Sequence, residues 1–302
     1  MNVKELYSSC TLCPRECRVN RNKGQIGRCG MTAELKAARA ALHMWEEPPI
    51  SGKNGSGTVF FSGCPLSCVF CQNSEISRDA DGKYIDSSRL AEIFLELQAM
   101  GAHNINLVTP THFVPHITEA LDKAKKEGLT LPVLYNCGGY ESAETLRLLR
   151  GYIDIYLPDF KYWSSDIAAK YSRCRDYREK AQEALAEMVT QTGPPVFDES
   201  GIMKRGTVVR HLVLPGNTAD SIKVIEYLHK TYGNKIYISI MSQYTPMEGI
   251  KEHFPELARK LTKYEYDKVL RFAADIGVTQ GFTQYGSAAA ESFIPKFDHT
   301  GV

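Results

Sequence analysis

The stretch TVFFSGCPLSCVFCQN, Thr58–Asn73, decides how the rest of the chain is read. Thr58–Ser62 is aromatic and β-branched, the composition of a buried strand. Cys64 follows almost at once, and Cys68 and Cys71 complete a C-x3-C-x2-C loop. Thiols spaced so tightly read as metal ligands rather than core residues. A closed tetrahedral site needs a fourth ligand, so a three-thiolate site keeps a coordination position free for a small molecule.

Beyond the loop, strand and helix patterns alternate. In DSSRLAEIFLELQAMG, residues 86–101, Leu90, Ile93, Phe94 and Leu97 recur at helical spacing. Asp86 or Ser87 caps its start, and Gly101 marks its end. Further strands are predicted at 104–108, 131–136, 152–157, 207–214 and 235–241, with a short last one within 278–285. A long charged helix is predicted over 165–192. Apolar strands separated by helices predict parallel pairing with right-handed crossovers. The pattern fits a closed or partial β/α barrel, or an open doubly wound sheet. In each, ligands sit at the C-terminal ends of the strands, where the cysteine loop lies.

Upstream, residues 1–50 are expected to form a small metal-knit lobe, and 51–302 the β/α domain. In CTLCPRECRVNRNKGQIGRCG, Cys10, Cys13, Cys17 and Cys29 can close a structural zinc site or hold an auxiliary iron–sulfur cluster. Arg15, Arg18, Arg21 and Arg28 crowd the same lobe, as a solvated face or a docking patch. EEPPISGKNGSG, residues 46–57, reads as a turn-rich connector. Glu46 and Glu47 are expected to cap or solvate that turn and Trp45 to pack, or the group His43, Trp45, Glu46 and Glu47 to supply a lid contact to substrate.

The chain has 302 residues, 43% hydrophobic and 24% charged, enough for a sizeable core. Its 36 basic and 35 acidic residues leave a net charge of +1, which gives no general pull towards nucleic acid or anionic lipid. No apolar run approaches the roughly 18 residues of a membrane span. The first residues carry no apolar leader, so the cytoplasm is the expected compartment. Nine cysteines, an odd number, argue against a disulfide framework.

The cysteine loop after the first strand resembles that of the radical S-adenosylmethionine superfamily. The resemblance implies a partial (β/α)6 barrel and a [4Fe–4S] cluster on Cys64, Cys68 and Cys71. S-adenosylmethionine would chelate the fourth iron and be reductively split to methionine and a 5′-deoxyadenosyl radical, which abstracts hydrogen. Phe70 occupies the position that packs near the adenine. Other motifs are similar to the pyruvate formate-lyase activating enzyme branch. LPDFKYW supplies Asp159 and Lys161 of a D-x-K motif, implying contacts to ribose, the methionine carboxylate and a monovalent cation. LYNCGGY places Asn136 and Cys137 beside that carboxylate, and RHLVLPGN aligns Arg210. Asn136 stands where the branch has an acid, so the cation site is expected to be weak or absent. The branch's Gly-Gly-Glu, which receives the substrate's amino group, is replaced by LVTPTHFVP. Thr109, Thr111 and His112 offer acceptors instead, or His112 is only a loop residue.

Nearly the whole chain resembles a subgroup of this branch with an N-terminal cysteine lobe, EEPPISG and a C-terminal FIPKFD. The implied activity is hydrogen abstraction, from a glycine of a partner protein, with electrons from a flavodoxin- or ferredoxin-like donor. The alternatives are a small-molecule or peptide target, and a non-catalytic iron–sulfur or zinc interaction protein. Cys137 is expected to contact cofactor through its backbone, and Cys174 to be inert. Trp163, Gln280, Gln284 and Tyr285 are read as pocket-flanking or packing residues.

Overall fold

The computed structural model describes residues 5–284 and 295–302; Tyr285 lies outside them. Its strands are β1 Lys36–His43, β2 Ser56–Phe61, β3 Lys83–Tyr84, β4 Ile105–Val108, β5 Val133–Cys137, β6 Ile155–Pro158, β7 Val196–Phe197, β8 Met203–Leu212, β9 Tyr237–Met241 and β10 Gly281–Thr283. The sheet runs β10-β9-β8-β6-β5-β4-β2-β1-β3, and β7 pairs with β8. From β2 to β10 every neighbour along this path is parallel. Spatial order therefore follows chain order, so the sheet winds one way, as a barrel does, without the reversal of a doubly wound fold. All C-terminal strand ends meet at one mouth. The fold is α/β with a mostly parallel sheet, consistent with a partial barrel.

Helices cover the outer face. Ser87–Ala99 begins as its sequence predicts: Asp86 accepts a hydrogen bond from the Arg89 backbone N–H at 2.8 Å. Its Leu90, Ile93, Phe94 and Leu97 pack into a core with Leu107, Ile117, Leu121 and Tyr135. The helix expected over 165–192 is two helices, Ser165–Ser172 and Tyr177–Thr192. Arg173 breaks it with a left-handed φ of 51°, which turns the Ser172 and Arg173 carbonyls towards the guanidinium of Arg15.

Two features depart from the sequence reading. β1 lies within the first fifty residues and pairs antiparallel with β2, so the sheet extends past its first parallel strand. The 46–57 stretch is more than a connector. Its short helix, Pro48–Ser51, plugs the barrel floor. Ile50 is fully buried against Leu134, Ile155, Leu157, Met203 and Val208. Leu134, Leu157 and Val208 each lie two residues before Asn136, Asp159 and Arg210, so both sets face the lumen. Asn104 Nδ2 donates to the Ile50 carbonyl at 2.9 Å and fixes the plug.

Candidate active site

The cysteine loop leaves β2 through Gly63, whose φ of 83° favours glycine. A Cβ there would run into Met31 Cγ and meet the Cys29 carbonyl at 2.6 Å, so loop and N-terminal segment are in direct contact. The loop is pinned by Val69 N–H to the Tyr171 carbonyl at 2.9 Å and Gly63 N–H to the Ile76 carbonyl at 2.7 Å. Hydroxyls support two sulfurs: Ser172 donates to Cys68 Sγ at 2.9 Å and Ser77 to Cys71 Sγ at 3.3 Å.

A cavity of about 270 Å³ opens beside the loop at the barrel mouth. It is lined by Cys64, Cys68, Cys71 and Phe70, and across from them by Thr109, Asn136, Cys137, Asp159, Lys161 and Arg210. Phe70 packs edge-on against Tyr162, Tyr171 and Tyr244, with centroids 6.3–6.4 Å away. Thr111 is not in the lining; it is buried and donates to Glu141 Oε1 at 2.9 Å. His112 is also buried, its Nε2 donating to the Ser62 carbonyl at 2.7 Å. Trp163 packs on Tyr227 under Arg178. Gln284 bridges the Ser242 N–H and the Gln243 side chain behind the cavity wall.

Glu46 is the residue that sequence reasoning misplaced. It is neither a cap nor solvated. It lines the cavity, and its carboxylate accepts from Asn106 Nδ2 at 3.0 Å, Asn136 Nδ2 at 3.2 Å and Arg210 Nη1 at 3.1 Å. Arg210 also donates to Asn136 Oδ1 at 2.6 Å and Asp159 Oδ1 at 3.0 Å, and Lys161 pairs with Asp159 Oδ2. Burial pushes Asp159 up, but Lys161 and Arg210 override it and hold the carboxyl below its usual range. Burial pushes Glu47 up against the pull of Arg210, and its Oε2 has no protein partner. Trp45, read as a packing residue or as part of a lid contact, is 60% exposed at the cavity rim.

The three thiols fit an iron–sulfur centre. Burial first, then Cys68 and Cys71, pushes Cys64 up to about 12. Burial and Cys68 raise Cys71 in the same way. Three thiolates facing one cavity are stable together only around a cationic centre. Among the described residues no three His, Cys, Asp or Glu side chains gather closely enough for a single ion. A [4Fe–4S] cube is wider, since each thiolate binds a different iron. In the N-terminal segment, burial raises Cys13 and Cys29, with further upward pushes from neighbouring thiols. Cys10 and Cys29 are buried, Cys17 partly so. None of the described helices is long and apolar enough to cross a membrane.

An uncharacterized protein of Methanocaldococcus jannaschii is 28% identical over 277 residues, 90% of this chain and 76% of that protein. The crystal structure of Streptococcus suis SuiB bound to S-adenosylmethionine matches with a TM-score of 0.51 at 12% identity, covering 78% of this chain and 51% of SuiB. SuiB bound to its precursor peptide SuiA gives 0.51 at 14% identity, covering 74% and 47%. This chain thus spans about half the length of SuiB, and at such identity the likeness is one of fold. The model of the Radical SAM superfamily matches residues 58–228, from β2 through β8 and into the helix that follows. That is more than half of the sequence, and the chain belongs to the radical SAM superfamily, whose domain implies a [4Fe–4S] cluster and S-adenosylmethionine.

Proposed function

We propose that this radical S-adenosylmethionine enzyme abstracts hydrogen from a polypeptide, in the manner of a pyruvate formate-lyase activating enzyme acting on a partner's glycine. The observation that carries the reading is that Cys64, Cys68 and Cys71 share one cavity with Asp159, Lys161 and Arg210. When bound, the cluster supplies the electron that splits the sulfonium. This chain's residues do the rest. Lys161 and Arg210, held by Asp159 and Glu46, would offer N–H donors to the ligand carboxylate. Phe70 and Tyr244, both in the lining, would give the adenine an apolar wall, with Tyr162 and Tyr171 packed behind Phe70. The Glu46–Arg210–Asp159 network fixes these groups and limits water at the reacting centre.

With dithionite and S-adenosylmethionine, the anoxically reconstituted protein should release 5′-deoxyadenosine and methionine. Cys64→Ala, Cys68→Ala and Cys71→Ala should each abolish that release; unchanged turnover in these variants overturns the reading. Deuterium carried from a partner's glycine Cα into 5′-deoxyadenosine identifies the activase version. A second reading takes a modified peptide as substrate. It draws on the fold shared with SuiB, which has been crystallised with a precursor peptide. Label arriving from a non-glycine position, or from a metabolite, selects against the activase version.

Cys10, Cys13, Cys17 and Cys29 hold a second metal in this proposal, either an auxiliary iron–sulfur cluster or zinc, which would need the four thiols to close up around one ion. Metal analysis of protein carrying Ala at all four positions separates the two: zinc is lost in one case, and iron with sulfide in the other.

A further inference from the structure

Of the arginines that crowd the N-terminal cysteines, only Arg21 is buried. Arg15 is half-buried, Arg18 and Arg28 are exposed, and Arg21 is 1% exposed. A guanidinium does not shed its proton, so burying it leaves a full positive charge inside the protein. Nε and Nη2 of Arg21 donate to the Thr32 carbonyl at 3.1 and 2.6 Å, and Nη1 donates to the His112 carbonyl at 2.7 Å. The rings of Tyr7 and Phe113 lie 4.5 and 5.6 Å from the guanidinium carbon. Carbonyls and ring faces solvate the charge without neutralising it. Among the described residues no carboxylate is one of its partners. The remaining partner is a sulfur: Nη1 also donates to Cys10 Sγ at 3.8 Å.

The other three thiols of the segment also face donors. The Arg28 backbone N–H donates to Cys17 Sγ at 3.3 Å, and the backbone N–H groups of Arg15 and Met31 donate to Cys13 and Cys29. Each of the four sulfurs therefore meets an N–H, and at Cys10 that N–H belongs to a cation. A neutral thiol is a weak acceptor, whereas a thiolate accepts strongly. Donors on all four sulfurs suit thiolates, the form that binds metal. A divalent ion or an oxidised [4Fe–4S] core cancels only part of the charge of four thiolates, so either leaves the centre anionic. A buried guanidinium within hydrogen-bond reach offsets that excess. The arm of Arg21 to His112 leads on to the barrel, because His112 Nε2 donates to the Ser62 carbonyl at 2.7 Å, two residues before Cys64.

We propose that Arg21 is the internal counter-charge of the N-terminal metal centre, a positioning residue that balances the thiolates of Cys10, Cys13, Cys17 and Cys29 while they hold their metal. Its burial is then favourable with metal bound and costly without it. This rests on the reading above that the four thiols bind a second metal.

The test uses the full chain with Cys64, Cys68 and Cys71 replaced by Ala, so that only the N-terminal metal is counted. In that background Arg21→Gln should lose its metal to a chelator about tenfold or more faster, the usual scale for removing a group that supports metal ligands. Melting temperature separates charge from scaffolding. With metal bound, Arg21→Gln should melt below the parent chain; once both are stripped of metal, it should melt at or above it, because the parent then buries an uncompensated charge. Arg21→Met, a second neutral variant that needs no hydrogen-bond partner, should behave in the same way. Arg21→Lys keeps the charge and should gain nearly as much from metal as the parent does. A role confined to the Thr32 and His112 carbonyls would lower the melting temperature equally with and without metal. That result, or metal release at the parental rate in both neutral variants, overturns the proposal. A parent chain whose metal content is unchanged when Cys10, Cys13, Cys17 and Cys29 become Ala overturns the second-metal reading instead.

Discussion

Glu46 carries the negative charge that Asn136 lacks. The two are joined at 3.2 Å, and Arg210 bridges them from a position 164 residues away from Glu46 in the chain. Nothing local announces this, because Glu-Glu-Pro-Pro has the composition of a turn and the partners lie on β4, β5 and β8. Removing one member of a buried ion network leaves the other charge uncompensated. Glu46→Ala should therefore lose ~3–5 kcal/mol in chemical denaturation and weaken S-adenosylmethionine binding. Glu141 was equally illegible. It is buried outside the cavity lining, where burial pushes its carboxyl up to about 7 against hydrogen bonds from Thr111 and Tyr135. Between its ordinary 4.5 and about 7 the folded chain keeps a proton that the unfolded chain has lost, so stability falls as pH rises through that window. His112 acts with the opposite sign, because burial lowers it to about 3; its contribution grows as pH rises towards 6.5. Glu141→Gln should remove a decline of up to ~1.4 kcal/mol per pH unit, read as melting temperature against pH. A decline that persists in the variant excludes Glu141 as its source.

At the scale of elements, the strand β2 and the loop after it were readable, because a β-branched and aromatic run ends directly in three spaced thiols. β1 was not. KAARAALH has weak strand propensity, and pairing with β2 decides its conformation. The break between Ser172 and Tyr177 was hidden for a similar reason: its carbonyls are held by Arg15, more than 150 residues earlier in the chain. The close approach of the loop to the N-terminal segment yields a direct prediction. Gly63→Ala places a methyl against Met31 and the Cys29 carbonyl in a left-handed conformation. The variant should lose at least ~2 kcal/mol of stability and bind less iron after reconstitution. Wild-type stability and iron content would show that the two segments separate freely.

For the whole molecule, alternation of strands and helices announced a parallel sheet but left barrel and doubly wound forms open. Strand order decides between them, and it depends on pairing that no local pattern encodes. The C-terminal residues add a tie that composition did not suggest. The Ala40 N–H donates to the Thr300 carbonyl at 2.8 Å, Arg39 pairs with Asp298, and Phe297 packs on Phe60 at 5.4 Å. The end of the chain is thus fastened to β1 and to the strand that leads into the cysteine loop. The account as a whole depends on one reducible centre with a free coordination position at the barrel mouth. Electron paramagnetic resonance of the dithionite-reduced anoxic protein tests this most directly. A reduced [4Fe–4S] signal should change shape when S-adenosylmethionine is added, and the response should vanish when Cys64, Cys68 and Cys71 are replaced by Ala. A signal that ignores S-adenosylmethionine, or that survives loss of those three thiols with its response intact, would contradict the account.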